Sequence, residues 1–158
     1  MQKIVPMLWF NTEAEEAVKF YCSIFKNSHV TAVTRYTDLG PGPDGSVMTI
    51  AFELDGNPYV ALNGGPTYTF TEAISLMVYC EDQTEVDRIW DGLLSGGGKP
   101  VACGWLKDQY GLAWQVVPTE LMQMIADPDA AKVRAAMAAM MNMVKLDIAA
   151  LRAAVRAA

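Results

Sequence analysis

The feature that most constrains this chain is an internal repeat. Two amphipathic stretches, "TEAEEAVKFYCSIF" and "DQTEVDRIWDGLLSGG", carry apolar residues at helical spacing. Sliding the first by 69 residues lays Ala17 on Val86, Phe20 on Ile89, Tyr21 on Trp90, Ile24 on Leu93 and Phe25 on Leu94. Any two amphipathic helices share a period, so the flanks must decide the matter, and they recur in the same order. "KIVPMLWF" reads as a strand before the first helix. "HVTAVTRYT", "SVMTIAFEL" and "YVALNGG" read as three strands after it, the last two joined by the turn "DGNP". "EAISLMVYC" precedes the second helix, and "VACG", "WLK" and "LAWQVV" follow it, the last two joined by "DQYG". The fold class is therefore read as α+β: two βαβββ modules, residues 1–66 and 67–118, each a curved mixed sheet with its helix outside. A C-terminal helical tail, 119–158, completes what is read as one structural domain.

Local signals add detail. Thr12 followed by Glu15 has the spacing of a capping box for the first helix. "LGPGPDG" is a dense turn signal and predicts a long exposed loop. Arg35 and Glu53 are candidates for a cross-strand pair. Pro118 ends the last strand, and Thr119 is placed to cap the short helix "TELMQMIA". The rest of the tail is rich in alanine and methionine, with Asp127 or Asp129 able to cap one helix and Asp147 another. Val133, Met137, Met140, Met141 and Val144 form an apolar stripe that predicts packing on this chain or on a sister chain, and a homodimer is expected.

Composition excludes some partners. Of 158 residues, 52% are hydrophobic, enough for a full core. The net charge of −6 argues against nucleic acid and against an anionic membrane surface, both of which call for basic faces. The cysteines Cys22, Cys80 and Cys103 are odd in number and form no CxxC pair, as expected of reduced thiols. A nucleophilic Cys103 beside Trp105 has no base near it in sequence. "IVPMLWF" is too short for an export segment, and no apolar run approaches the ~20 residues of a membrane span. A cytoplasmic chain is expected.

Two copies of this module, with "AVKFYCSIF", "LNGGP", "GWLKDQYGLAWQVVP" and "KLDIAAL", resemble the PhnB-like branch of the vicinal oxygen chelate superfamily. That superfamily includes glyoxalase and bleomycin-resistance proteins, and members of this branch are often labelled demethylubiquinone methyltransferase-like. The resemblance covers essentially the whole chain. It implies eight strands shaping a barrel-like cleft. In metal-using relatives, ligands stand on the first and last strand of each module. Gln115, four residues after Gly111, matches a position where relatives place a metal-binding Glu. The other matched positions offer Pro6 or Met7, one of Val60 to Asn63, and Ser75, none of them His, Asp or Glu. The only histidine, His29, falls at the start of the second strand, outside the matched positions. A dication needs imidazole, carboxylate or thiolate ligands, so no metal and no cofactor are expected.

Gln115 is then read as a hydrogen-bonding group on a cleft wall. Alternation puts Ala113, Gln115 and Val117 on one face of its strand and Trp114 and Val116 on the other. Trp105 is either an aromatic cleft wall or core. "LNGG" places Asn63 and a glycine pair where a backbone can approach a ligand, or where a plain loop leaves the strand. Lys107 and Asp108 read as solvated turn residues that could rim the cleft. The first functional reading is a module binding a small, partly apolar molecule through Gln115, Trp105, Asn63, Ser75 and Ala113. The second is a metal-dependent isomerase, dioxygenase or thiol transferase. The methyltransferase label finds no Gly-rich strand–turn–helix loop in this sequence.

Overall fold

A computed structural model of the chain describes residues 2–158. The chain divides into two compact units, Met1–Phe70 and Thr71–Ala158.

The first unit holds β1 (Met7–Phe10), α1 (Ala14–Ile24), β2 (His29–Arg35), β3 (Val47–Leu54) and β4 (Asn57–Asn63). Its sheet has the order β1-β4-β3-β2, with β1 parallel to β4 and the other pairs antiparallel. The β3–β4 turn is made by Asp55 and Gly56, both at positive φ (48° and 74°), which is the tight turn that "DG" encodes. Leu8, Phe10, Ile50, Phe52, Leu54 and Ala61 supply the buried side of the sheet, and Ala14, Ala17, Val18, Tyr21 and Ile24 the buried face of α1. The buried stripe is thus rotated from the expected one. Phe20 and Phe25 are only half-buried, and Ala14 and Val18 take their place.

The second unit repeats the plan with β5 (Ser75–Cys80), α2 (Gln83–Leu94), β6 (Lys99–Pro100), β7 (Trp105–Lys107) and β8 (Ala113–Pro118). Its order, β5-β8-β7-β6 with β5 parallel to β8, is the order of the first sheet. The repeat therefore holds in fold as well as in register. Each βαβββ module is an α+β layer of one mixed sheet and one helix, and neither sheet closes into a barrel. The expected strand "VACG" is not one. Residues 101–104 form a turn, because Cys103 and Gly104 both stand at positive φ (55° and 81°), outside the β region.

The tail adds α3 (Thr119–Ile125), α4 (Ala130–Met141) and α5 (Ile148–Arg156) to the second unit. They form a small core with β8 in which Val117, Leu121, Ala136, Leu146 and Leu151 are buried. The tail therefore packs on its own chain. Asp129 and Asp147 cap α4 and α5, accepting from the N–H of Ala131 and Ala150. Thr119 is not a cap, since Pro118 occupies that position with no side chain to bond. The methionine stripe is packed only in part. Met137, Met141 and Val144 are exposed, and α4 approaches through Ala136 and Ala139, whose small side chains permit close contact, together with Met140 of the stripe. Among the described residues, no helix is long and apolar enough to cross a membrane.

The capping box is also absent from α1. Thr12 makes no cap. Instead Asn63, at the end of β4, accepts the Ala14 N–H on its Oδ1 at 2.9 Å. A neighbouring strand end thus supplies what the local sequence suggested at Thr12. In α2 the cap is local, with Asp82 accepting the Glu85 N–H at 2.8 Å.

Candidate functional site

The face of the second sheet that carries Leu106, Trp114 and Val116 is fully buried, each residue 2% exposed or less. Alternation sends Trp105 and Lys107, Ala113 and Gln115, and Ser75 and Met77 to the opposite face. The register aligns them in two rows. Trp105 lies directly across from Gln115, and Gln115 lies beside Met77. In the next row Lys107 faces Ala113, and Ala113 adjoins Ser75. Four of the residues expected to form a site, Gln115, Trp105, Ser75 and Ala113, are therefore brought together on one face of one unit. Gln115, Trp105 and Ser75 are partly exposed, Met77 is exposed and Ala113 is buried.

Gln115 Nε2 donates to Ser75 Oγ at 2.8 Å, which explains how an amide is tolerated in this strand. The Ser75 hydroxyl can donate onward, and Gln115 Oε1 can accept. Trp105 is partly exposed beside them. Lys107 shares that face and pairs with Glu72, whose carboxyl it holds below the usual range through a hydrogen bond. Lys107 thus rims the face.

Asp108 is different from the expectation. It is 4% exposed, not solvated. Its Oδ1 accepts the N–H of Tyr110 at 2.8 Å and of Leu112 at 3.1 Å, and its Oδ2 accepts the indole N–H of Trp114 at 2.9 Å. The residue folds the β7–β8 turn around its own carboxylate. The sequence signal was present: an aspartate opening a Tyr-Gly turn, six residues before a buried tryptophan that needs an acceptor.

Asn63 lies in the first unit and both ends of its amide are engaged there. Besides capping α1, its Nδ2 donates to Val47 O at 3.1 Å, and its backbone carbonyl accepts the Tyr36 hydroxyl at 2.7 Å. It borders a pocket of about 350 Å³ lined by Thr12, Glu15, Pro43, Ser46 and Gly64 among others. The glycine pair after it answers to Trp9. A Cβ on Gly64 would stand 2.4 Å from the Trp9 ring, and Trp9 Nε1 donates to Gly65 O at 2.8 Å. The backbone is approached closely, but by the chain's own indole. The expected Arg35–Glu53 pair does not form, because the register sets Glu53 opposite His29 and Arg35 opposite Val47. Arg35 donates to Gly45 O instead.

The metal expectation can be tested on donor chemistry. The matched positions supply a thioether or aliphatic groups, an amide already engaged in the helix cap, a hydroxyl and an amide bonded to that hydroxyl. Among the described residues, no group of three or more His, Cys, Asp or Glu side chains could hold an ion. This set does not fit a divalent metal, for which neutral oxygen donors alone give little charge compensation. The cysteines are poor nucleophiles where titration is perturbed. Burial raises Cys22 and pushes Cys80 up to about 12, which keeps both as thiols.

Comparison with known proteins agrees with this architecture. The PhnB protein of Bacillus cereus is 35% identical, with a TM-score of 0.67, and the match covers 74% of this chain and 99% of that one. Protein PA1353 of Pseudomonas aeruginosa (21% identical, TM-score 0.61, 75% and 98% covered) shares the fold. So does the fosfomycin resistance protein FosX of Listeria monocytogenes (12%, 0.53, 75% and 93%). No curated protein matches the chain. The family model described as 3-demethylubiquinone-9 3-methyltransferase matches residues 2–117. With its two βαβββ units, the chain belongs to that family, the PhnB-like branch of the vicinal oxygen chelate fold.

Proposed function

We propose that this protein binds a small, partly apolar molecule, without a metal, on the sheet face built by Trp105, Gln115, Ser75 and Ala113. The observation that carries the reading is the row in which Trp105, Gln115 and Met77 stand side by side on three adjacent strands. An indole and a thioether offer apolar contact, and the Gln115–Ser75 pair offers one donor and one acceptor. That combination of apolar walls with few polar groups is the usual composition of a small-molecule site. A flat ring carrying a hydroxyl or carbonyl group suits it. The family description points to methyl transfer. The face supports binding more directly, since the carboxylate at its rim, Glu72, is tied to Lys107 and held below the usual carboxylate range, and no imidazole stands on the face among the described residues.

The test is titration with 1-naphthol, a ring with one hydroxyl, followed by calorimetry. Trp105→Ala is expected to weaken binding by about 1 kcal/mol or more, and Gln115→Ala by about 1 kcal/mol. Trp105→Ala is also expected to cost less fold stability than Trp114→Ala, a core truncation worth ~3–5 kcal/mol. Unchanged affinity in both variants, with equal unfolding penalties for the two tryptophans, would show that Trp105 is core and that this face binds nothing of the kind.

A further inference from the structure

The comparisons leave the tail uncovered. The family model stops at residue 117, and the Bacillus cereus protein is matched over 99% of its length by 74% of this chain. Helices α3–α5 are therefore an addition to the shared module, and the connection between α4 and α5 enters the second sheet at one specific place. The Cys103 N–H donates to Met143 O and the Gly104 N–H to Val144 O, both at 2.8 Å. Gly104 O in turn accepts the Val116 N–H at 2.8 Å. Residues 103 and 104 are thus held between the tail and β8, immediately before Trp105 and beside Gln115.

There is no slack at this point. A Cβ on Gly104 would stand 2.9 Å from Val116 O and 3.0 Å from Leu146 Cδ1. Cys103 holds a left-handed φ of 55°, which a side chain rarely adopts without support. The connection itself is clamped from α2. Gln83 Nε2 donates to Leu146 O at 3.1 Å, and Gln83 Oε1 accepts the Ile148 N–H at 2.9 Å. Lys145 Nζ reaches Asp87 Oδ1 at 2.9 Å, and Leu146 is wholly buried in the tail core.

We infer that residues 143–148 form a strap that positions Trp105, so that the added tail sets the shape of the binding face. The inference rests on the reading of that face given above. Gln83 is its clamp and touches neither Trp105 nor Gln115 in the sheet register. Removing the clamp frees the strap carbonyls, lets Cys103 leave its left-handed conformation and loosens the start of β7. The chain of contacts is continuous from α2 through the strap to the site, which is the physical requirement for such coupling.

The experiment uses the full chain carrying Gln83→Ala, with Gln83→Glu as a companion that keeps an acceptor for the Ile148 N–H but sets a carboxylate oxygen against Leu146 O and Asp87 Oδ1, where the amide donates. Three quantities are read: amide hydrogen exchange at Cys103 and Gly104, the 19F resonance of 5-fluorotryptophan at position 105 (assigned with Trp105→Phe), and 1-naphthol affinity. Gln83→Ala is expected to speed exchange at both amides about tenfold while leaving β1–β4 unchanged. It is expected to shift or broaden the Trp105 resonance and to weaken 1-naphthol about fivefold, with Gln83→Glu at least as large in effect. If exchange at Cys103 and Gly104 is unaltered, or if it rises while the Trp105 resonance and the affinity stay fixed, the strap does not position Trp105 and the inference is overturned. If the unsubstituted protein binds no 1-naphthol, the proposed function fails, while the exchange and fluorine readouts still decide the strap.

Discussion

The two units share a strand order and a helix register, yet they complete the same frame by different means. The first closes its β3–β4 hairpin with two residues, Asp55 and Gly56, whose backbone dihedrals do the work. The second closes β7–β8 with a longer turn folded around the buried carboxylate of Asp108. The first caps its helix from a distant strand through Asn63, and the second caps locally through Asp82. The tail packs into the core of the second unit. A repeat thus fixes topology, while turns and caps are free to diverge. In the second unit that freedom yields a half-open face with an indole, an amide and a hydroxyl in register.

The comparison breaks most visibly at the turns. Asp108→Ala strands two backbone N–H groups and the Trp114 indole N–H in a buried place, with an expected cost of about 3 kcal/mol. Asp55→Ala leaves an exposed turn at positive φ and is expected to cost about 1 kcal/mol. Denaturant unfolding of both variants measures the difference. Equal losses would mean that the Asp108 carboxylate contributes no more than an ordinary turn residue.

Caps give a smaller contrast. Asn63→Ala removes the cap of α1 together with the bond to Val47 O, and about 2 kcal/mol of stability is expected to go with them. Asp82→Ala removes only a local cap and is expected to cost about 1 kcal/mol. A larger loss at Asp82 in thermal unfolding would reverse the assignment of Asn63 as the more deeply integrated residue.

The smallest effect concerns the tail and depends on pH. The hydrogen bond from Lys145, and then that from Gln83, hold Asp87 below the usual carboxylate range. Lys145 is held above its ordinary value, first by the same bond. Asp87 titrates lower in the folded chain than in the unfolded one. Its contribution is therefore present above the unfolded carboxylate range and disappears as pH falls through the folded value. For Lys145 the contribution is present at neutral pH and disappears as pH rises through its raised value. Both groups are well exposed, so solvent screening limits the pair to about 0.5 kcal/mol. Melting curves of Lys145→Met should differ from those of the unsubstituted protein at neutral pH and converge with them in acid. A gap that persists at low pH would place the effect in packing rather than charge.

The sequence carried the frame of this fold because a 69-residue repeat and period-two strands are local patterns that any alignment of the chain on itself exposes. Alternation, a one-dimensional rule, set Gln115 and Ala113 on one face, whereas Ser75 entered through the family resemblance and Trp105 stayed open between cleft wall and core until the register placed it across from Gln115. What it could not carry were bonds between residues far apart in the chain. The Thr12 box looked sufficient, but Asn63 lies 49 residues from the helix start it caps. Asp108 is the exception: its partners are local, and the signal, a buried Trp114 six residues on that needs an acceptor, lies in the sequence beside the turn residues that first suggest a solvated loop. The methionine stripe packs only in part, because α4 packs through two alanines as well as Met140, and small side chains carry no hydrophobic signal strong enough to mark a buried face.

The central claim is that the face carrying Gln115 lacks the donor chemistry to hold a divalent metal. Dialysis against Zn²⁺, Mn²⁺, Ni²⁺ and Fe²⁺, followed by metal analysis and thermal unfolding of the unsubstituted protein and of Gln115→Ala, tests it directly. The account predicts no stoichiometric ion in either protein, and melting shifts no larger than the few degrees that weak surface binding gives. One ion per chain, lost on Gln115→Ala together with a large stabilisation, would contradict it.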